Sequence, residues 1–133
     1  MPLLSGIDHC HINVNNLSNA VTWYEKVLGF KVVEELAFWD ETGKGPLTLQ
    51  DQNTTTRLAL FEGQVRSKGI AFGATGEQFI AWLAHFKSMD IKTVLADHGV
   101  TFSIYFKDES DNSHEITSHD YEHIKMFYPS VEQ

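Results

Sequence analysis

The apolar pattern of this chain runs through the same order of elements twice. The first pass reads as a strand at 7–14, then a helix, then three further extended stretches. From about residue 66 the order restarts, with SKGIAFGA as a strand, TGEQFIAWLAHFKSMDI as a helix and three more strands. Because sequence identity between the two halves is low, the repeat is predicted from the order of elements alone.

The ends of the two helices carry residues suited to capping. Asn16 or Ser18 is predicted to cap the first helix, and Gly29 to end it. Thr75 and Gln78 have the spacing of a capping box at the start of the second helix. The tail DYEHIKMFY is also predicted to be helical, and to pack on the sheet through its apolar stripe.

The remaining segments divide into predicted strands and turns. KVVEELAF, Lys31–Phe38, is predicted to be extended, and 40–46 to be a turn region. PLTLQD and TRLALFEG are the next two strands of the first pass. KTVLAD, TFSIYFKD and SHEITSHD complete the second pass, and the polar turn ESDN at 109–112 precedes the last of them.

Length and composition favour one compact domain and argue against several classes of function. The chain has 133 residues, 42% of them hydrophobic, which is enough for a real core. A net charge of −8 argues against nucleic-acid binding, which needs a basic face. Cys10 is the only cysteine, so no intrachain disulfide can form. No apolar run approaches the roughly 20 residues of a membrane span, and we expect a cytoplasmic protein.

The segment GIDHCHINVNN, residues 6–16, places two histidines one residue apart. Side chains alternate between the faces of a strand, so Ile7, His9, His11 and Asn13 are predicted to share one face. Cys10 falls on the opposite face, where a small core residue is expected. The two imidazoles could bind a metal ion, line a pocket or face water, and the alternation leaves all three interpretations open.

Two motifs, one near each end of the chain, resemble a known family. IDHCHINVNNLSNAVTWYEKVLGF is similar to the opening of a vicinal oxygen chelate protein of the glyoxalase/bleomycin-resistance/extradiol-dioxygenase superfamily. The likeness lies in a histidine strand, a polar turn and a helix that ends in WYEKVLGF. SIYFKDESDNSHEI, residues 103–116, resembles the family's closing hairpin, with Glu109 where proline is usual and Asn112 near the usual Gly-Asn.

The resemblance implies an α+β fold of two βαβββ modules. Their curled mixed β-sheets would form half-barrels around a shared cavity, with the helices outside. Module one would span about 1–64, module two about 66–119 and a C-terminal helical tail 120–133, all within a single glyoxalase/bleomycin-resistance-type domain, 1–133. In metal-binding members, ligands from the first and last strand of each module converge on one divalent ion, which a substrate binds through two neighbouring oxygens.

Transferred to this sequence, the four ligand positions implied by the resemblance are His9, Ala59, Gly69 and Glu115. Ala59 and Gly69 have no ligating side chain, so His9 and Glu115 remain. His11 is predicted to share the face of His9 and could replace a missing ligand. So few protein ligands favour weak binding of a divalent ion, with iron, manganese, nickel and zinc as candidates.

Glu115 is the candidate catalytic residue, and its residue type leaves several roles open. A carboxylate at this position could be a metal ligand, a general base, a hydrogen-bonded acid in a pocket or a salt-bridged surface group. Alternation predicts that Glu115 shares its strand face with Ser113, Thr117 and His119, and that His114 points to the other face.

Small residues lie where the implied fold would have its pocket. Gly69, Ala71 and Gly73 are predicted to share one face of their strand, with Ala59 on a facing strand. If these faces turn inward, the pocket has room for an organic ligand; the alternative is tight packing of two sheets through small residues. The aromatic residues expected to line the pocket are Trp39, Phe61 and Tyr105.

Two functions of different classes follow from these patterns. The first is a metal-dependent enzyme, a lyase, isomerase or dioxygenase that acts on a small oxygen-rich molecule, with a divalent ion as its cofactor. The second is a metal-free protein that binds a cationic or aromatic antibiotic-like molecule, as resistance proteins of the superfamily do. A homodimer is expected, and neither nucleic acid nor membrane is expected as a partner.

Overall fold

The described part of the chain contains two four-stranded sheets, each with a helix packed on one face. The structure is a computed structural model covering 1–40, 43 and 45–132, with only the backbone of Phe38 and Trp39. The chain divides into two compact units, Met1–Ser67 and Lys68–Gln133. No helix in the described segments is both long and apolar enough to cross a membrane.

The first unit contains one helix and one sheet, with strand order β1-β4-β3-β2. Strand β1 pairs in parallel with β4, and the other two pairings are antiparallel. In chain order the elements are β1 (Cys10–Val14), α1 (Leu17–Trp23), a π-helical turn (Tyr24–Leu28), β2 (Lys31–Val32), a 3₁₀ helix (Glu34–Asp40), β3 (Leu47–Gln50) and β4 (Arg57–Glu62).

The second unit repeats this topology with strand order β5-β8-β7-β6. Strand β5 pairs in parallel with β8, while β8 with β7 and β7 with β6 are antiparallel. Its elements are β5 (Ala71–Gly73), α2 (Gly76–Ser88), β6 (Val94–Asp97), β7 (Phe102–Lys107), β8 (Ser113–Ser118) and α3 (Tyr121–Phe127). The predicted α+β class and the repeated βαβββ order are thereby confirmed.

The helix ends form as the sequence predicts. The Asn16 side chain accepts a hydrogen bond from the backbone N–H of Asn19 at 2.8 Å, so Asn16 rather than Ser18 is the N-cap. Thr75 caps α2 by accepting from the N–H of Gln78 at 3.2 Å. Gly29 ends the first helical segment in the left-handed conformation, at φ 75°.

The prediction that Lys31–Phe38 is extended was wrong beyond its second residue. Only Lys31–Val32 is a strand, and a 3₁₀ helix begins at Glu34. The N–H of Leu36 donates to the carbonyl of Val33 at 3.1 Å, the i→i+3 bond of such a helix. The β-branched residues stop at Val33, and Glu, Glu, Leu and Ala, which favour helical backbone, follow. The tight helical turn therefore replaces the second half of the predicted strand.

Each sheet has one face against its helix and one face turned away from it, which we call the far face. In the first unit, the helix-side residues include Ile12, Val14, Leu58 and Leu60, each at most 2% exposed. In the second unit, Phe86 of α2 packs on Phe106 of β7 with ring centroids 4.7 Å apart. Because side chains alternate along each strand, the candidate site residues that lie within strands, such as His11 and Glu115, fall on the far faces.

The β7–β8 turn is built around the buried carboxylate of Asp108. Its Oδ1 accepts from the backbone N–H groups of Ser110 and Asn112, each at 2.9 Å, and its Oδ2 accepts from the Asn112 side chain at 2.9 Å. Asp111 takes the left-handed conformation, with φ 65°. The polar segment ESDN thus forms the tight turn that its composition predicts.

Helix α3 is joined to the second sheet by an ion pair whose carboxylate is buried. The Asp97 carboxylate, whose side chain is fully buried, accepts from Lys125 Nζ at 2.8 Å and from the Tyr121 hydroxyl at 3.0 Å. Tyr121 also stacks on Phe102, with ring centroids 5.2 Å apart. The tail is helical and packs on the sheet as predicted, although Phe127, which belongs to the predicted apolar stripe, is 59% exposed.

The ion pair predicts how stability depends on pH. Burial alone would raise the pKa of Asp97, but hydrogen bonds from Lys125, Gly99 and Tyr121 outweigh it and lower the pKa below its ordinary value. The stabilisation is therefore present above about pH 4 and is lost as the pH falls through the lowered pKa. We expect Asp97→Asn to melt at a lower temperature than the wild type at pH 7, with a difference that shrinks steadily towards about pH 2.

Glu122→Gln, at an exposed carboxylate on the same helix, is the matched control and should follow the wild-type melting curve at every pH. Melting followed by circular dichroism from pH 7 to 2 measures the three proteins side by side. An Asp97→Asn deficit that stays constant across this range would contradict the assignment.

Candidate functional site

The two histidines of the first unit lie together on the far face of its sheet. His11 is in β1, opposite Ala59 of β4 in the strand register, and Asn13 lies opposite Phe61. The alternating sequence CHINV buries Ile12 and Val14 against the helix and leaves His11 exposed. His9 precedes the first residue of β1 and is also exposed. The strand thus begins at Cys10 and not at residue 7 as predicted, and His9 meets His11 from outside it.

The imidazoles of His9 and His11 point at each other. Their Nε2 atoms are 2.9 Å apart and their ring centroids 4.9 Å apart, at an interplanar angle of 31°. The rings of His11 and Phe61 make a T-shaped contact at a centroid distance of 5.2 Å and an interplanar angle of 64°. Two ring nitrogens this close share one proton or one cation.

Asp8 decides which nitrogen of His9 carries a hydrogen. Its Oδ2 lies 2.8 Å from His9 Nδ1. A carboxylate can only accept, so Nδ1 is the protonated nitrogen and Nε2 of neutral His9 presents its lone pair to His11. Metal-binding histidines are commonly oriented in this way by a carboxylate on the second ring nitrogen.

Glu115 lies on the far face of the second sheet, in strand β8. It is half-buried, and its Oε2 accepts from the Thr117 hydroxyl at 2.8 Å. The Thr117 hydroxyl is in turn 2.9 Å from that of Ser103. Because Thr117 donates its hydrogen to Glu115, it accepts from Ser103, so three polar side chains form one directed chain that ends on the carboxylate.

Tyr105 faces Glu115 across the β7–β8 pairing and is held by a residue that sequence reasoning missed. The register places Tyr105 directly opposite Glu115, and the Tyr105 hydroxyl lies 3.0 Å from Nε2 of His98. His98 follows β6 in the turn towards β7, where no periodic pattern indicates the direction of a side chain. Only the pairing of β6 with β7 brings it back to Tyr105, so the sequence carried no usable signal for it.

Gly69 has no room for any side chain. Its φ is +99°, a conformation that favours glycine, and a Cβ built there would overlap the backbone carbonyl oxygen of Ser113. It precedes β5, which begins at Ala71, so the prediction that it shares a strand face with Ala71 and Gly73 was wrong. The left-handed backbone at Gly69 interrupts the strand alternation before β5 starts.

His114 lies on the helix side of the second sheet, as alternation predicts. It is 2% exposed, its Nδ1 accepts from the backbone N–H of Ile70 at 3.0 Å, and its Nε2 lies 3.6 Å from Oδ2 of Asp108. These contacts join the segment before β5 to the β7–β8 hairpin. His114 is therefore part of the structural core of the unit and faces away from Glu115.

The residues predicted to line a pocket divide between buried and exposed places. Ala59 is 4% exposed, beside His11, and Phe61 is half-buried. Ala71 is exposed on β5, and Tyr105 is 38% exposed. The side chain of Trp39 lies outside the part of the chain that the structure describes. Across the described segments, no group of three or more His, Cys, Asp or Glu side chains is arranged to hold a metal ion.

Comparison with known families gives one match that covers most of the chain. The model of the Glyoxalase/Bleomycin resistance protein/Dioxygenase superfamily matches residues 6–116. That span contains the histidine strand, Glu115 and both sheets apart from the last two residues of β8. A comparison with curated proteins gives no match.

Solved structures with the same fold include a lactoylglutathione lyase and a fosfomycin resistance protein. Lactoylglutathione lyase from Agrobacterium tumefaciens has a TM-score of 0.74 at 18% identity, over 90% of this chain and 97% of the other. The fosfomycin resistance protein FosX from Listeria monocytogenes has a TM-score of 0.69 at 16% identity, over 90% and 93%. A mutant of that FosX, complexed with Mn(II) and 1S,2S-dihydroxypropylphosphonic acid, has a TM-score of 0.70 at 17% identity, over 91% and 97%. At these identities the likeness shows the fold alone.

The overlap at Gly69 predicts a large difference between two glycine substitutions on the same segment. Gly69→Ala should destabilise the protein by about 2 kcal/mol or more, because the new Cβ meets backbone and the φ angle is strained for any other residue. Gly73→Ala is the control, since a Cβ there meets nothing within 4 Å. It should change stability by about 0.5 kcal/mol or less.

Urea unfolding of the two variants and the wild type measures both values. Equal stability of Gly69→Ala and Gly73→Ala would show that the Ser113 carbonyl does not block position 69.

Proposed function

Since the chain belongs to the glyoxalase/bleomycin resistance protein/dioxygenase superfamily, we propose that it is a metal-dependent enzyme. It acts as a lyase, isomerase or dioxygenase on a small oxygen-rich molecule. The observation that supports this proposal is the pair of Nε2 atoms of His9 and His11, 2.9 Å apart on the far face of the first sheet. The FosX of Listeria monocytogenes, which shares the fold, was crystallised with Mn(II).

The geometry of the histidine pair fits two ligands of one ion. The Nε2 atoms of His9 and His11, 2.9 Å apart, are the two groups that would hold such an ion. Asp8 already holds His9 in the tautomer that a ligand needs. Ala59 and Gly69, the other positions implied within the family pattern, supply no donor. With only His9 and His11 as protein ligands, the chain would hold a divalent ion weakly.

In the proposed mechanism, the residues of the chain position the reactants and move a proton. His9 and His11 would hold the ion, and the chemistry that it would supply is Lewis acidity. Asp8 fixes the orientation of His9 through its hydrogen bond to Nδ1. Within the second unit, Glu115 is the candidate general base: Thr117 occupies Oε2, so Oε1 would be the atom that accepts a proton. The hydroxyls of Ser103 and Thr117 stabilise the carboxylate before the transfer.

Metal binding tests this proposal without a known substrate. Added Mn²⁺, Ni²⁺ or Zn²⁺ should raise the melting temperature of chelator-treated protein, by an amount that grows with metal concentration. His9→Ala and His11→Ala should each abolish the shift, because one imidazole alone is a poor site. Asp8→Asn should weaken binding by about tenfold, since it removes the carboxylate that orients His9.

His119→Ala is the matched control, because His119 is an exposed histidine outside the pair and should leave the metal-induced shift unchanged. Titration calorimetry gives the affinity and the number of ions per chain. Metal shifts that persist in the His9→Ala/His11→Ala double variant would refute the histidine-pair site, and no shift with any of the ions would refute the metal-dependent function.

A second function, metal-free binding of an aromatic or cationic antibiotic-like molecule by a homodimer, rests on a different observation. The backbone around Gly69 excludes a ligand side chain at one of the family's positions, and Ala59 lacks one at another. The net charge of −8 would attract a cation. Quenching of the three tryptophans by a panel of such molecules, combined with gel filtration, tests this function. It requires saturable quenching without metal and the elution volume of a dimer.

A further inference from the structure

A cavity of about 490 Å³ lies within the second unit, beside the paired strands β6 and β7. It is bounded by the segment between α2 and β6, by the second half of β7 and by the first residue of β8. The strand register brings Val94 opposite Tyr105 and Lys107 opposite Ser113, so the far face of the sheet supplies one wall. None of the residues of the proposed metal pair takes part in it.

The cavity carries positive charge on a strongly negative protein. Lys92 and Lys107 are both among its lining residues and both are exposed, whereas the chain as a whole has a net charge of −8. Asp90 is the one acidic residue in the lining, which leaves the site with a formal charge of +1. A local excess of one positive charge attracts anions at short range, even where the distant field of the protein repels them.

The rest of the lining combines apolar surface with hydroxyl donors. Ile91 and the exposed side chain of Val94, together with the ring of Tyr105, form an apolar wall. Ser113 and Tyr105 contribute hydroxyl groups, and His98 holds the Tyr105 hydroxyl at 3.0 Å. A wall of this kind binds an apolar body, while donors and ammonium groups bind a carboxylate or a phosphoryl group.

We propose that this cavity binds small organic anions that carry an apolar body. The anionic group lies between Lys92 and Lys107 with Ser113 as a further donor, and the body packs on Val94 and Tyr105. The inference goes beyond the proposed function because it uses no metal and none of its ligands. The ligands proposed for this cavity are anionic, whereas the net charge of the whole chain would favour cationic ligands. Tyr105 lies opposite Glu115, so a molecule bound here is adjacent to the proposed base.

The test uses phenyl phosphate as the probe and ¹H–¹⁵N NMR titration of the full chain as the readout. Phenyl phosphate should shift the amide signals of 90–94, 105–107 and 113 in a saturable way, and more weakly at about 200 mM than at about 20 mM salt. Benzyl alcohol tests the apolar body without charge, inorganic phosphate tests the charge alone, and benzylamine tests the opposite charge. We expect phenyl phosphate to bind more tightly than each of these three.

Variants of the lining separate this site from general attraction to lysines. Lys92→Gln and Lys107→Gln should each weaken phenyl phosphate binding by about two- to fivefold, and more when combined. Tyr105→Phe removes only the hydroxyl and should have a smaller effect. Lys26→Gln and Lys31→Gln, at exposed lysines of the first unit, are the matched controls and should leave the affinity unchanged.

Three results would overturn the proposal. The first is binding of benzylamine as tight as that of phenyl phosphate, and the second is equal weakening by the control lysine variants. The third is equal affinity for inorganic phosphate, which would remove the role of the apolar wall. The metal-induced melting shift of the same variants distinguishes the two sites, because Lys92→Gln and Lys107→Gln leave the histidine pair intact.

Discussion

The second unit depends on the buried carboxylate of Asp108. By accepting hydrogen bonds from the backbone of Ser110 and Asn112 and from the Asn112 side chain, it closes the β7–β8 turn. A buried carboxylate is stable only when hydrogen bonds of this kind surround it, so the turn has one favourable conformation. That conformation sets the register of β8, and the register decides that Glu115 faces away from α2 while His114 faces the core.

The same register explains why position 69 cannot hold a ligand. His114 accepts from the N–H of Ile70 and thereby draws the segment before β5 against the start of β8. The close approach places the carbonyl of Ser113 where a Cβ of residue 69 would lie. The backbone at position 69 therefore requires glycine. At position 59 the side chain points to the far face beside His11, and alanine there is simply too short to bind a metal ion. The absence of a ligating side chain thus has a different physical cause at position 69 than at position 59.

The sequence was sufficient for those features that local chemistry decides. Capping by Asn16 and Thr75, the left-handed Gly29 and the order of strands and helices all follow from residues close to each other in the chain. The exposed face of His11 follows from alternation, whereas His9 lies before β1 and its contact with His11 is a finding of the structure. The 3₁₀ helix after Val33, the strain at Gly69 and the contact of His98 with Tyr105 could not be predicted in this way. The 3₁₀ helix follows a run of residues whose strand and helix propensities compete. The strain at Gly69 and the contact of His98 depend on residues that strand pairing brings together.

Net charge shows a further limit of whole-chain properties. A value of −8 suggests cationic ligands when it is taken as one number, but the second unit gathers two of its lysines around a single cavity. At physiological salt, charges are screened beyond about 8 Å, so a ligand at the cavity responds mainly to Lys92, Lys107, Asp90 and the neighbouring Glu115, and much less to acidic residues farther away. Because screening makes the local sign decisive, the total charge of the chain cannot determine which ligands the second unit accepts.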